Sequence, residues 1–233
     1  MREVKPMTKE RILKTSKYIE KLPGMRLLIC VPSTDFMHAE FVKSLTSLIT
    51  RLGKDMIYYQ VEIMTGTLVY VARENLAKKA IHEGFTHTLW LDSDMVFNDE
   101  LLEDITFGGQ SFVTGIYHAR RPPHGSCIFK NIDPEHIERY ELDYPKDTFE
   151  IAGCGFGCVL VSTEILRTVW NKNGTIFLPM AGLGEDLAFC QRVHDAGFKM
   201  YCEPGVRLGH IGHITIYPDD RAYWSELGGM TQC

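Results

Sequence analysis

Thr88-Leu89-Trp90-Leu91 is a short, mostly apolar run that breaks off in Asp92-Ser93-Asp94. The run is long enough for a buried strand and too short for a helix. In an open α/β sheet, ligands bind at the C-terminal ends of the strands, and the acid pair stands at such an end. An unpaired carboxylate there is costly to bury. A divalent cation would satisfy both acids, since hard oxygen ligands suit Mg²⁺ or Mn²⁺. The same letters fit a strand ending in a polar turn, with Asp92 or Asp94 capping the next helix. An acid pair this short is common, so the rest of the chain has to decide.

The flanking pattern alternates strand and helix. Arg26 to Val31 reads as a first core strand, closed by the turn Pro32-Ser33-Thr34-Asp35. A helix follows from about Ala39 to Leu52, with Phe41, Leu45, Leu48 and Ile49 on one face. Met56 to Ile63 is a second strand, and 66–84 contains a second helix that carries Arg73 and Asn75 near its start. After the acid pair come a short helix through Leu101 and Ile105, a strand from Phe112 to Tyr117, and the basic loop His118 to His124. A strand over Ser126–Phe129 leads into a polar stretch, 131–148, that reads as a surface excursion with a partial helix. The order predicts one α/β domain, a Rossmann-like, mostly parallel central sheet with flanking helices.

Composition narrows the class. The 233 residues suffice for one sizeable domain, and 45% hydrophobic with 24% charged residues is ordinary for a globular protein. A net charge of −5 gives no global attraction to nucleic acid or anionic membrane. No stretch approaches the roughly 20 apolar residues of a membrane span. The N-terminal residues lack the apolar core of a signal peptide, so a cytoplasmic location is expected. Seven cysteines, an odd count scattered mostly through apolar runs, point to reduced, buried thiols.

The second half supplies further polar groups. Gly153-Cys-Gly-Phe-Gly157 is a glycine-rich turn before an apolar strand, and glycine permits close backbone approach to a ligand. An apolar strand follows it instead of a helix, so it is not a dinucleotide fingerprint. A helix from Thr163 to Trp170 packs through Ile165, Leu166 and Val169. Glu185 and Asp186 open the next helix; they either favour its N-terminus through the dipole or supply a general base. A last strand, Lys199 to Cys202, ends at Glu203-Pro204-Gly205. His210 and His213, beside glycines, are a metal-ligand source. Arg120, Arg121 and His124 are either solvated or anion-binding.

Val31-Pro32, Ala72 to Ala77, Leu91 to Met95, Gly153 to Gly157, Gly184 to Cys190 and Gly209-His210, in that order, resemble the GT-A class of nucleotide-sugar-dependent glycosyltransferases, in particular family-2-like enzymes. The chain also looks like small glycosyltransferases of phage and bacterial genomes. The resemblance spans roughly Met25 to His213 and implies a metal-dependent hexosyl- or pentosyltransferase, inverting favoured over retaining. It divides the chain into an N-terminal amphipathic extension (1–24), a catalytic domain (25–215) with a nucleotide-binding half (25–95) and an acceptor half (96–215), and a tail (216–233). It implies Mn²⁺ or Mg²⁺ held by Asp92, Asp94 and His210, with His213 in reserve. Pro32, Ser33, Thr34, Glu62, Arg73, Asn75, Asp92 and Ser93 would meet the nucleotide, and Gly153 and Gly155 would border the donor sugar. Asp186 would be the catalytic base, with Glu185 beside it. Arg120, Arg121 and His124 would touch the acceptor or an anion.

Two other classes compete. A nucleotidyltransferase can share the sheet and paired carboxylates, but usually has a glycine- and basic-rich phosphate loop after the first strand, which Pro32-Ser33-Thr34-Asp35-Phe36 is not. A non-catalytic nucleotide-binding module would use the acids only as helix caps. For an acceptor, a modified base in phage DNA, a glycan, a protein and a small molecule all stay open. A phage-encoded chain would act in the host cytoplasm.

Overall fold

The computed structural model describes residues 24–106 and 108–212. The amphipathic segment expected at 8–22, the tail from 216 and His213 lie outside them.

A seven-stranded sheet forms the middle layer. Its order is β2 (Tyr58–Met64), β1 (Arg26–Pro32), β3 (His87–Leu91), β10 (Cys158–Ser162), β5 (Phe112–Ile116), β11 (Met200–Arg207) and β8 (Phe149–Ile151). β2, β1, β3, β5 and β11 run one way; β10 and β8 run against them. The sheet is mostly parallel and the fold is Rossmann-like, but an antiparallel strand sits between β3 and β5. β10 is buried on both faces, and a run apolar on both sides reads the same in either direction.

Alternation along β1 sorts the core. Leu28 and Cys30 face one side; Leu27, Ile29 and Val31 face the other. Against the first side pack α2 (Val69–His82), α4 (Thr163–Asn173) and α5 (Glu185–Asp195), with an aromatic cluster of Trp90, Phe156, Phe177 and Phe189. Against the second pack α1 (Ala39–Lys54), through Phe41, Leu45, Leu48 and Leu52, and α3 (Leu101–Thr106). The result is a single domain of three layers.

Two expectations are corrected. The polar stretch after residue 131 holds no partial helix. β6 (Ile128–Asp133) and β7 (His136–Arg139) form an antiparallel hairpin there, because Asn131 and Asp133 side chains accept backbone N–H groups two residues on and turn the chain at Pro134. β11 does not stop at Glu203-Pro204-Gly205; a register shift between Cys202 and Arg207 absorbs the proline and the strand continues. That continuation matters, since it delivers β12 (Gly209–His210) to β4 (Met95–Val96), with His210 opposite Met95. The six described cysteines are free, and five are fully buried.

Candidate functional site

β1 and β3 are adjacent and parallel, so Pro32 and Asp92 emerge side by side at their C-terminal ends. Between them, above the start of α2, opens a cleft of about 870 Å³. Pro32, Ser33, Thr34, Asp92, Ser93, Asp94, Arg120, Arg121 and His210 all line it, as do exposed Phe36 and Leu68.

His210 comes to the cleft through the β4–β12 pairing, reinforced by the Ile211 N–H donating to the Asp94 carbonyl (2.8 Å). Its Nδ1 lies 2.8 Å from the His118 carbonyl oxygen. A carbonyl only accepts, so Nδ1 donates; Nε2, on the other side, carries a proton while it hydrogen-bonds Asp94 and would offer its lone pair once a cation displaced that proton. Nε2 sits 3.4 Å from Asp94 Oδ2. The hydrogen bond to Asp94 raises the His210 pKa above its ordinary value, against the opposing effect of burial. Burial works to raise the Asp94 pKa, but the His210 hydrogen bond and the Arg120 charge outweigh it and hold the carboxyl below the ordinary range. Arg120 Nη1 donates to the same oxygen, Asp94 Oδ2.

Asp92 is placed differently. Arg73 Nη2 donates to its Oδ1 at 3.0 Å, while Arg73 Nη1 donates to Glu185 Oε1 at 2.6 Å. The guanidinium is buried, 5.2 Å above the Phe156 ring, and its Nε has no hydrogen-bond partner among the described residues. Arg73 thus ties the acid pair on β3 to the start of α5, with both Nη atoms engaged by carboxylates. Burial pushes the Asp92 carboxyl above its ordinary value, with Arg73 pulling the other way and Asp94 adding to the rise. Asp186 is also raised by burial, opposed by Arg73. Its Oδ1 accepts the Leu187 N–H at 2.8 Å. Glu185 and Asp186 are outside the cleft lining; Glu185 is joined to it through Arg73 and Asp92.

Other expected contacts fall elsewhere. Two helix positions apart put Asn75 and Arg73 on opposite sides of α2, and Asn75 points to solvent. Glu62 accepts from Gln60 (2.6 Å) and pairs with Lys79 (3.4 Å), away from the cleft. Gly153 and Gly155 are buried and border protein atoms. A Cβ on Gly155 would lie 2.3 Å from the Tyr117 hydroxyl, and one on Gly153 would lie 2.8 Å from Ile132 Cγ2. The glycine turn makes room for Tyr117, whose hydroxyl accepts the Gly157 N–H at 2.9 Å. His124 closes its own loop: Nδ1 lies 2.9 Å from the Ala119 carbonyl, and it does not line the cleft.

Four contributors escaped the sequence reading. Glu74, which there only separated Arg73 from Asn75, accepts the Ile176 and Phe177 N–H groups at 2.8 Å each. His118 orients His210 through its backbone, which no side-chain motif can signal. Phe36 and Leu68 form the exposed apolar lip; an apolar residue beside the turns 32–35 and 65–67 is the signal a sequence offers for them.

The donor set can be tested against a divalent cation. Such an ion often keeps several waters and substrate phosphates and takes only one or two carboxylates from protein. Asp94 Oδ2 and the oriented lone pair of His210 Nε2 fit that share. Asp92, expected as a third ligand, has Oδ1 committed to Arg73. Among the described residues no three histidine, cysteine or carboxylate side chains gather as a complete ligand set.

No protein-family profile matches the chain, and no curated protein matches it. Solved structures do. The crystal structure of A197 from STIV superposes with a TM-score of 0.54 at 22% identity, over 81% of this chain and 87% of that one. At that identity the likeness establishes a shared mixed α/β architecture.

Proposed function

We propose that the protein is a cation-assisted glycosyltransferase with a glycosyltransferase-like GT-A fold, moving a hexose or pentose from a nucleoside-diphosphate sugar to an acceptor hydroxyl with inversion. The observation that carries the reading is the approach of His210 Nε2 to Asp94 Oδ2 at the mouth of the β1–β3 cleft, with the imidazole oriented from behind by the His118 carbonyl. When bound there, Mn²⁺ or Mg²⁺ would offset the negative charge that builds on the departing diphosphate.

The rest is done by the chain. Phe36 and Leu68 offer an apolar lip for a nucleobase, beside Pro32, Ser33 and Thr34. Ser33 Oγ is buried without a partner among the described residues, an orphan that a ligand hydroxyl or amide would satisfy. Among the described residues no side chain caps the start of α2, so the positive end of the helix favours a phosphate at the cleft. Arg120 and Arg121 add positive charge on the other wall. Asp186 is outside the cleft lining but near enough to Arg73 and Asp92 to feel their charges; on this reading it takes the proton of an acceptor hydroxyl that approaches from the α5 side, and its raised pKa suits that work. Glu185 holds Arg73 and through it Asp92. The free thiols fit a reducing cytosol, that of a host cell if the chain is phage-encoded. Among the described residues no helix is long and apolar enough to cross a membrane.

The test is a nucleotide-sugar hydrolysis screen with Mn²⁺, reading which nucleoside diphosphate is released. Asp94→Ala is expected to abolish release. Undiminished release in excess chelator sinks the cation role, and pyrophosphate released from a nucleoside triphosphate would instead mean nucleotidyl transfer.

A further inference from the structure

Arg120 stands in an unusual place for a cleft arginine. Its Nη1 donates to Asp94 Oδ2, the oxygen that His210 Nε2 also faces. The guanidinium therefore lies on the oxygen that the proposed function gives to a divalent cation. Both positive charges cannot hold it together without repulsion.

The backbone under Arg120 is pinned. Ala119 N–H donates to the Gly125 carbonyl (2.9 Å), and Cys127 N–H to the Tyr117 carbonyl (3.1 Å). His118 and His124 close the loop with ring nitrogens on the His124 and Ala119 carbonyls. Gly212 packs so near that an added Cβ would lie 3.1 Å from the Arg120 carbonyl oxygen. The side chain, by contrast, is 45% exposed and can turn without moving the loop. Such an arm has two anionic destinations, Asp94 and any phosphate in the cleft.

Resting on the cation reading of the cleft, we propose that Arg120 is an exchangeable counter-ion. It neutralises Asp94 while that oxygen is free of metal, and it turns to the diphosphate once a cation takes the oxygen. Charge favours this order. With Asp94 bound to Arg120, Arg121 is left on that wall to face a phosphate. With Asp94 matched by a cation, Arg120 and Arg121 both do, and a guanidinium suits phosphate oxygens in a bidentate way. Cation binding thereby prepares the cleft for the nucleotide, and the nucleotide's phosphates in turn favour the released arginine.

The test reads binding, with Mn²⁺ alone followed by electron paramagnetic resonance of the free ion, and with a preformed 1:1 complex of Mn²⁺ and inorganic pyrophosphate followed by calorimetry. Arg120→Gln is expected to bind Mn²⁺ alone about 2- to 5-fold tighter, the range of an exposed ion pair removed as competitor. The same variant is expected to bind the pyrophosphate complex about tenfold more weakly. Arg121→Gln, which lacks the Asp94 contact, weakens only the second. Unchanged or weaker Mn²⁺ affinity in Arg120→Gln overturns the exchange. Loss of Mn²⁺ binding in Asp94→Asn, together with no effect of Arg120→Gln, sinks the exchange and leaves the cation seat standing. Mn²⁺ binding that survives Asp94→Asn, or is absent from every form, overturns both.

Discussion

Arg73 and Glu185 are 112 positions apart and meet in a 2.6 Å ion pair behind the cleft. The other arm of the same guanidinium holds Asp92 at 3.0 Å. One buried cation thus joins the strand that ends in the acid pair to the helix that carries the candidate base. A planar fork with fixed donor directions can do this; a single ammonium cannot reach both carboxylates with the same geometry.

Replacing Arg73 with Met is therefore expected to cost about 3 kcal/mol, because two partly buried carboxylates lose their shared counter-charge. Arg73→Lys is expected to recover little of it. Urea denaturation of the three proteins checks this. A midpoint for Arg73→Lys equal to wild type would mean that charge alone matters, and that the fork does not.

Tyr117 and Gly155 make a steric pair with a definite signature. A Cβ at Gly155 meets the Tyr117 hydroxyl at 2.3 Å, and that hydroxyl accepts the Gly157 N–H. Gly155→Ala is expected to destabilise by about 1–3 kcal/mol through overpacking. Tyr117→Phe costs about 1 kcal/mol for the lost hydrogen bond. The double variant should cost less than the two added, with a coupling of at least about 0.5 kcal/mol. Strict additivity in thermal melts would show that the hydroxyl is not what excludes a side chain at Gly155.

These two relationships mark where the sequence was and was not readable. The strand ending in Asp92 and Asp94, the alternation of elements and the late imidazole each follow from short-range pattern, and the fold sets Asp94 beside His210. The direction of β10 is invisible in a strand apolar on both faces. Gly153 and Gly155 were read as room for a sugar, because a glycine's neighbour cannot be told from its flanks; here the neighbours are Ile132 and Tyr117. The resemblance implies that Arg73 and Asn75 both meet the nucleotide. Helical geometry separates those two, and the burial of Arg73 over Phe156 depends on a residue more than eighty positions away.

Glu74 gives a stability prediction with a pH sign. Burial favours its protonated form, yet the N–H groups of Phe177 and Ile176 and the Lys78 side chain outweigh it and lower the pKa below the ordinary 4.5. The unfolded chain then binds more protons than the folded one between the lowered value and 4.5, so stability rises with pH across that window. The increment is complete above the window and disappears as pH falls through the folded value. Glu74→Ala, which strands two backbone donors, is expected to cost about 1–3 kcal/mol at neutral pH. Glu74→Gln keeps an acceptor and should lie between, with its gap from wild type closing below pH 4.5. A gap that widens in acid would reverse the assignment.

Glu185 and Asp186 open α5 together, and only one can be the proton acceptor. Glu185 spends an oxygen on Arg73 at 2.6 Å, so its carboxylate is engaged in holding the guanidinium. Among the described residues Asp186 accepts the Leu187 N–H at Oδ1, and burial raises its pKa. Asp186→Asn is expected to lower sugar transfer about 10²- to 10⁴-fold with little change in donor KM. In wild type, turnover should fall as pH drops through the raised Asp186 pKa, since the base must be ionised. Glu185→Gln should instead lower thermal stability, releasing one arm of Arg73, while leaving measurable turnover with the wild-type pH profile. If Glu185→Gln abolishes turnover in a protein that melts like wild type, and Asp186→Asn does not, the two carboxylates exchange roles.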